Sequence, residues 1–469
     1  MVVSAKVEHL TVSEREARGR AARSECPRSS HAVWKPPRQR QDPIDLLLEQ
    51  AETRVPELIP IRHGRMAASP FAFFRGAGYI MAADLATTTR TGFEVQLCGD
   101  AHLSNFGVFA APDRRLVFDL NDFDETLPGP WEWDVKRLVA SFGVAGRERG
   151  LDKDTRRSVV MSAASRYRLT MRDFAKMRNV DVWNARLDVD ETIARLRSYA
   201  SKATRRRTDR GLAKARRKDS LHAFSKLTTK EGGEPRLISD PPLIVPLREL
   251  YTDVDPDEGH RALHELLQAY RQTVPDSVRH LLESYRYVDA ARKVVGVGSV
   301  GTRAYIALLL GRDDADPMFL QVKEAQASVL ESYTAPSAYE NAGQRVVEGQ
   351  RLMQAAGDIA LGWIRSGGVD GIERDFYVRQ LWDAKGSVEV EEMEPRALEI
   401  YGHLCGWTLA RAHARTGDRV AIARYLGSGA NFDRAMADFT EAYADQNERD
   451  HASLVEAIDS GRVAAESGV

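Results

Sequence analysis

Residues 93–138 read FEVQLCGDAHLSNFGVFAAPDRRLVFDLNDFDETLPGPWEWDVKRL, and their reading decides the fold. FEVQL alternates in the manner of a half-buried strand and stops at Gly99-Asp100. His102 and Asn105 follow at once. The turn signal APDRR leads into a second strand, which ends in Asn121-Asp122-Phe123-Asp124. EWDVKRLVASFGVAG then sets Val135, Leu138, Val139 and Phe142 at helical spacing. Two strand ends thus place Asp100, Asn105 and Asp122 on neighbouring loops. The Asn105 amide oxygen and the Asp122 carboxylate suit Mg²⁺, a hard cation that prefers oxygen ligands. Asp100 is left to accept a proton from a substrate hydroxyl. Asp and Asn also cap turns, so neither segment alone carries the reading; the two in order do. His102 and Asp124 read as supporting side chains, and Cys98 as a small buried residue.

A second cluster lies about 200 residues later. GVGSVG (Gly296, Gly298, Gly301) precedes TRAYIALLLGRDDADPMFLQVKEA, which reads as strand, turn, strand. A dinucleotide fingerprint needs a helix straight after the glycines. A strand there instead suits the glycine-rich hairpin that covers ATP phosphates in kinases, with Lys323 at the end of the next strand to pair the α/β-phosphates. A helix over about 339–355 carries Glu348, the expected partner of Lys323, with Glu340 as fallback.

The rest of the chain is read around these clusters. Its 469 residues leave room for two to four domains or one large two-lobed fold. Hydrophobic residues are 43% and charged residues 29%, which excludes wholesale disorder and fibrous structure. Lys+Arg (67) balances Asp+Glu (68), which argues against a general nucleic-acid binder. Cys26, Cys98 and Cys405 show no CxxC spacing. No signal peptide and no membrane span is visible, so a cytoplasmic protein is expected. Residues 1–40 read as a loosely ordered arm. Residues 155–280 read as helical, interrupted by SKATRRRTDRGLAKARRKD and by the proline-bearing EGGEPRLISDPPLIVPL. The basic segment Arg205–Lys218 reads as a solvated helix face or, if functional, as a contact for an anionic group. From Pro395 onward the pattern is helical.

The segments RHGRMAASPFAFFRG, CGDAHLSNFGVF, LNDFDETLPGPWEWDVKRL, QRVVEGQRLMQ and YADQNERDH resemble the bacterial domain-of-unknown-function family 2252, over residues 20–455. More distantly, GDAHLSN is similar to the GDxHxxN catalytic loop of aminoglycoside phosphotransferases and choline-kinase-like enzymes. That resemblance implies Asp100 as catalytic base, Asn105 as a metal ligand, Asp122 as the second metal ligand through the IDF-like NDFDE, and Asp134 as a brace for the loop through the GDPxxDLA-like GPWEWDVKRL. Two features depart from the pattern. Cys98 stands where those enzymes have His, and the glycine loop follows the catalytic loop instead of preceding it. Circular permutation accounts for the inverted order, with LEIYGHLCGWTLARAHART as the helix that would otherwise run into the catalytic loop.

The expected fold is therefore α+β, a circularly permuted, protein-kinase-like two-lobed fold. A small antiparallel β-lobe (286–390) sits on a larger helical lobe (41–285 and 391–469). The expected function is ATP- and Mg²⁺-dependent phosphoryl transfer to a small-molecule or peptide hydroxyl. The alternatives are nucleotidyl (AMP) transfer with ATP reversed, or a nucleotide-binding pseudokinase-type module. In the permuted fold, Lys323 and Asp122 share one cleft, the Gly296–Gly301 turn overhangs it, and the helix end near His413 approaches the strand at Phe93.

Overall fold

A computed structural model describes residues 9–199, 201–217, 219–252, 256–294, 296, 298, 300–367, 371–381, 386–387 and 390–466. The fold is mixed α+β, 55% helix and 16% strand, with the strands in small sheets. No helix of the described residues is long and apolar enough to cross a membrane.

From residue 9 onward, the arm expected over residues 1–40 is not loose. Val12–Glu25 is a helix started by a Thr11/Glu14 capping box. It lies on the Arg419–Leu426 helix so closely that a Cβ at Gly19 would stand 2.3 Å from the Ala421 carbonyl oxygen. Arg23 and Arg28 donate to the Arg424, Tyr425 and Leu426 carbonyls at the end of that helix. A helix docked through small residues and arginine-to-carbonyl bonds shows no apolar stripe, which is why periodicity missed it.

Four short helices follow: Pro43–Ala51, Ile59–Ala67, Pro70–Gly76 and Gly78–Ala86. Strands β1 (Glu94–Leu97), β2 (Phe106–Ala110), β3 (Leu116–Leu120) and β4 (Leu127–Pro130) come next. β1 pairs antiparallel with β4, and β2 with β3. Behind them pack the Trp131–Glu148, Lys153–Phe174, Pro395–Thr416 and Asn431–Asp459 helices. Their shared core includes Trp131 stacked on Tyr167, ring centroids 5.6 Å apart.

β5 (Leu187–Asp188) extends β3. The basic stretch read as an interruption is a helix, Lys202–Arg217, with Ala215 as its buried residue; Lys218 lies outside the described residues. Charged residues keep good helix propensity even where little of the helix is buried. The proline-bearing stretch forms the hairpin of β6 (Thr228–Glu231) and β7 (Glu234–Leu237) and then β8 (Ile244–Pro246).

β9 (Arg286–Lys293), β10 (Ala304–Leu310) and β11 (Pro317–Ala325) form an antiparallel meander. The Ala342–Met353 helix leads to β12 (Gly362–Gly367) and β13 (Glu373–Gln380), which return to the same sheet. The strand order is β12-β13-β11-β10-β9-β8, every pair antiparallel. β14 (Gly386–Ser387) leaves this sheet and pairs with β2. Gly296, Gly298 and Gly301 lie in the β9–β10 connection, so no helix follows them and the dinucleotide reading fails.

Candidate functional site

The loop after β1 is fixed from behind. Asp134 accepts hydrogen bonds from the Cys98 and Gly99 N–H groups, at 2.7 and 3.0 Å. His413 donates to the same carboxylate from Nε2 at 3.2 Å, while the Tyr167 hydroxyl lies 2.9 Å from its Nδ1. A proton on Nε2 satisfies both contacts. Gly99 has φ +85°, and a Cβ there would stand 2.3 Å from the Glu125 carbonyl oxygen. Only glycine fits that position.

The brace aims Asp100 and Asn105 at one space. The Asp100 carbonyl accepts from the His102 N–H at 2.8 Å and from Asn105 Nδ2 at 2.6 Å. Asn105 lines the same cavity as Asp100. Asp100 Oδ1 accepts from Arg137 Nε at 2.8 Å and forms an ion pair with the same guanidinium, whose Nη2 lies 2.7 Å away. Arg137 is itself held by the Phe74 carbonyl and stacks on the Phe74 ring, 4.1 Å from its centroid. His102 Nε2 lies 3.7 Å from Asp100 Oδ2. Burial, helped by Arg137 and Arg75, pushes the His102 pKa well below its ordinary value, so the ring is neutral at neutral pH. His102 is a support.

β3 delivers Asp122 and Asp124. Lys323, buried on β11, pairs with the Asp124 carboxylate, and the Tyr377 hydroxyl donates to its other oxygen at 2.8 Å. Burial alone would raise the Asp124 pKa, but the Lys323 charge and hydrogen bond outweigh it and hold the group at about 2. Asp122 moves the other way: burial and the adjacent Asp124 charge raise it. Asp122, Asp124 and the Asn105 amide therefore face one cleft, and the charges of Lys323 and Arg379 both reach the two carboxylates.

Asp100, Asn105, Asp122, Asp124, Gly296 and Gly298 line one cavity of about 830 Å³. The glycine hairpin is its roof. Arg65 donates to the Gly296 carbonyl at 2.6 Å, and the Val55 N–H to the Gly301 carbonyl at 2.8 Å. Val300 is buried among Val55, Leu58 and Ile61. Gly301, at φ +89°, lets the chain leave the hairpin over Arg54. Among the described residues no group of three or more His, Cys, Asp or Glu side chains could hold a metal ion. Asn105 and Asp122 supply two hard oxygens, a set that holds a divalent cation when phosphate or water oxygens complete it.

Glu348 is not the partner of Lys323. It lies on the Ala342–Met353 helix but pairs with Arg351 at 2.9 Å. Glu340 precedes that helix, and its carbonyl accepts from Arg365 at 2.7 Å. The residue this helix sends toward the site is Arg345, buried, whose Nη atoms donate to the Asp124, Thr126 and Gln326 carbonyls at 2.7–2.8 Å. Sequence reasoning also passed over Arg137. The signal was present, since Arg137 follows Asp134 by three residues and so shares its helix face.

The end of the Pro395–Thr416 helix abuts β1. The Gln96 N–H donates to Thr416 Oγ1 at 3.1 Å, and a Cβ at Gly417 would stand 2.4 Å from Val95 Cγ1. A family model described as "Uncharacterized protein conserved in bacteria (DUF2252)" matches residues 54–457. No curated protein and no solved structure matches the chain.

Proposed function

Because the chain belongs to this DUF2252 family, whose description names no activity, we propose from the cleft itself that it is an ATP- and Mg²⁺-dependent, kinase-like phosphotransferase acting on a small-molecule or peptide hydroxyl. The observation that carries this reading is one cavity lined by Gly296 and Gly298 on one side and by Asp100, Asn105 and Asp122 on the other. A glycine hairpin offers main-chain N–H groups to phosphates, and a carboxylate pair with an amide suits a phosphate-bound cation.

The order of elements supports the permuted arrangement. From β9 the chain runs glycine hairpin, lysine strand, helix, two strands, then helices to Thr416. Thr416 and Gly417 lie against β1, where the 98–105 loop begins. Read in that order, the parts follow the sequence of a kinase-like fold with its join cut between Gly417 and β1.

In this reading Asn105 and Asp122 hold Mg²⁺, which when bound neutralises phosphate charge. Lys323 turns from Asp124 to the α/β-phosphates. Asp100, steadied through Oδ1 by Arg137, accepts the acceptor hydroxyl proton at Oδ2. The hydroxyl oxygen attacks the γ-phosphorus, the bond from that phosphorus to the β,γ-bridging oxygen breaks, and ADP leaves with the electron pair. Positioning and charge stabilisation supply most of the catalysis.

One observation favours a second reading, nucleotidyl transfer. β14 lies on β2 so closely that a Cβ at Gly107 would stand 2.6 Å from the Gly386 carbonyl oxygen. Main chain occupies the space between Gly107 and Gly386, while Tyr79 and Val329 line the cavity. A nucleoside placed there reverses the nucleotide and brings its α-phosphate to Asp122. ³¹P NMR separates the outcomes: ADP marks phosphoryl transfer, pyrophosphate marks nucleotidyl transfer, and tight binding without product marks a regulatory module. The first test is thermal unfolding with Mg-ATP. Ligand at 100 times its Kd stabilises by about 2.7 kcal/mol, a rise of a few degrees. No rise with millimolar Mg-ATP overturns the reading.

A further inference from the structure

Four arginines line the cleft: Arg54, Arg75, Arg303 and Arg374. Three are committed to the protein. Arg54 donates to the Val300 carbonyl at 2.5 Å, Arg303 pairs with Glu324 at 3.3 Å, and Arg374 stands 3.8 Å from the same carboxylate. Arg75 is different. Its Nε, like that of Arg54, is buried without a hydrogen-bond partner among the described residues, but Arg54 is anchored through Nη1. A buried guanidinium N–H without a partner is an unfavourable arrangement unless something arrives to match it.

Its position says what arrives. Arg75 ends the Pro70–Gly76 helix, and its carbonyl oxygen lies 3.3 Å from where a Cβ on Gly298 would stand. The carboxylates whose charge reaches its guanidinium are Asp100, Glu391 and Asp122. Asp100 is already held by Arg137. Arg75 therefore lines the same cavity as Gly298, Asp100 and Asp122. With β- and γ-phosphates beneath Gly298 and an acceptor hydroxyl at Asp100, this is the place of the terminal phosphate. A planar guanidinium matches phosphoryl oxygens in geometry and charge, and recession from water strengthens the match.

We propose that Arg75 binds the terminal phosphate of the nucleotide, so that a helix preceding the 98–105 loop supplies the group that distinguishes a triphosphate from a diphosphate. The proposal rests on the phosphotransferase reading above.

The test is isothermal titration of the full chain with ATP and with ADP, both with Mg²⁺, for the wild type, Arg75→Ala and Arg75→Lys. A charged hydrogen-bonded contact of this kind corresponds to roughly a 10- to 100-fold change in affinity. Arg75→Ala is expected to weaken ATP by about that factor and ADP by less than about threefold, with Arg75→Lys recovering part of the loss. Circular dichroism confirms that each variant is folded, and Arg75→Lys carries the test if Arg75→Ala is not. If the wild type binds both nucleotides and Arg75→Ala weakens both equally, or neither, the role of Arg75 is overturned while the phosphotransferase reading stands. If the wild type binds neither nucleotide, both fall.

Discussion

The ammonium of Lys323 is paired with the carboxylate of Asp124, 199 residues earlier in the chain. The pair joins the long antiparallel sheet to the end of β3 and sets Lys323 directly against Asp124, with Asp122 adjacent and the charge of Arg379 reaching both acids. Burial raises both pKa values, but Asp124 is hydrogen-bonded to Lys323 and Tyr377 and so is held down, while Asp122 has the Asp124 charge beside it and stays raised.

That pairing gives stability a definite pH dependence. The folded Asp124 carboxyl is held at about 2, below the unfolded value of about 3.9. Its contribution is thus present above pH ~4 and is lost as pH falls toward 2. Lys323→Met removes the compensating charge, which is expected to cost about 3–5 kcal/mol at pH 7. Asp124 then loses the main charge that holds it down, so the variant is expected to lose less stability than the wild type as pH is lowered from 7 toward 3. Urea unfolding across that range checks this; a variant that tracks the wild type contradicts the pairing.

Double-mutant cycles distinguish the two candidate partners of Lys323. Lys323→Met with Asp124→Asn is expected to be non-additive by about 0.5–3 kcal/mol. Lys323→Met with Glu348→Ala is expected to be additive within about 0.5 kcal/mol, because Glu348 is engaged with Arg351. Denaturant midpoints of the single and double variants provide both numbers.

Asp100 and Asp122 are expected to fail differently. Asp100→Asn keeps a side chain that Arg137 can position but cannot take a proton. It is expected to lower turnover roughly 10²- to 10⁴-fold while nucleotide binding persists. Asp122→Ala is expected to weaken Mg-ATP binding itself. Titration calorimetry beside product assays checks the division, and the same binding defect in both variants would contradict it.

Gly99 and Gly150 both have positive φ, +85° and +68°. A Cβ at Gly150 meets nothing within 4 Å, whereas at Gly99 it meets the Glu125 carbonyl oxygen at 2.3 Å. Gly150→Ala is expected to cost about 1–2 kcal/mol, the conformational term alone. Gly99→Ala is expected to cost clearly more, because the backbone of the 98–105 loop has to move. Thermal melts of the two variants measure the difference.

The local features were legible in the sequence. The strand ends at Asp100 and Asp122, the strand after Gly301 and the helix over Glu348 follow from alternation, turn chemistry and helical spacing, all of which act over a few residues. The GDPxxDLA-like resemblance also singled out Asp134, whose carboxylate receives the Cys98 and Gly99 N–H groups. Other features depended on the packed chain. Glu348 had the right helix but the wrong face, since its neighbour is Arg351 on the same helix and Lys323 meets Asp124 instead. Arg75 gave no signal, because the lack of a partner at its buried Nε is a property of everything packed around it. The docking of residues 12–25 through arginine-to-carbonyl bonds left no apolar pattern to read. Propensity and spacing determine which elements form and where they stop. Which charges become neighbours is decided only when the sheet closes over the helices, because that choice depends on distances between segments hundreds of residues apart and on which partners lose water together.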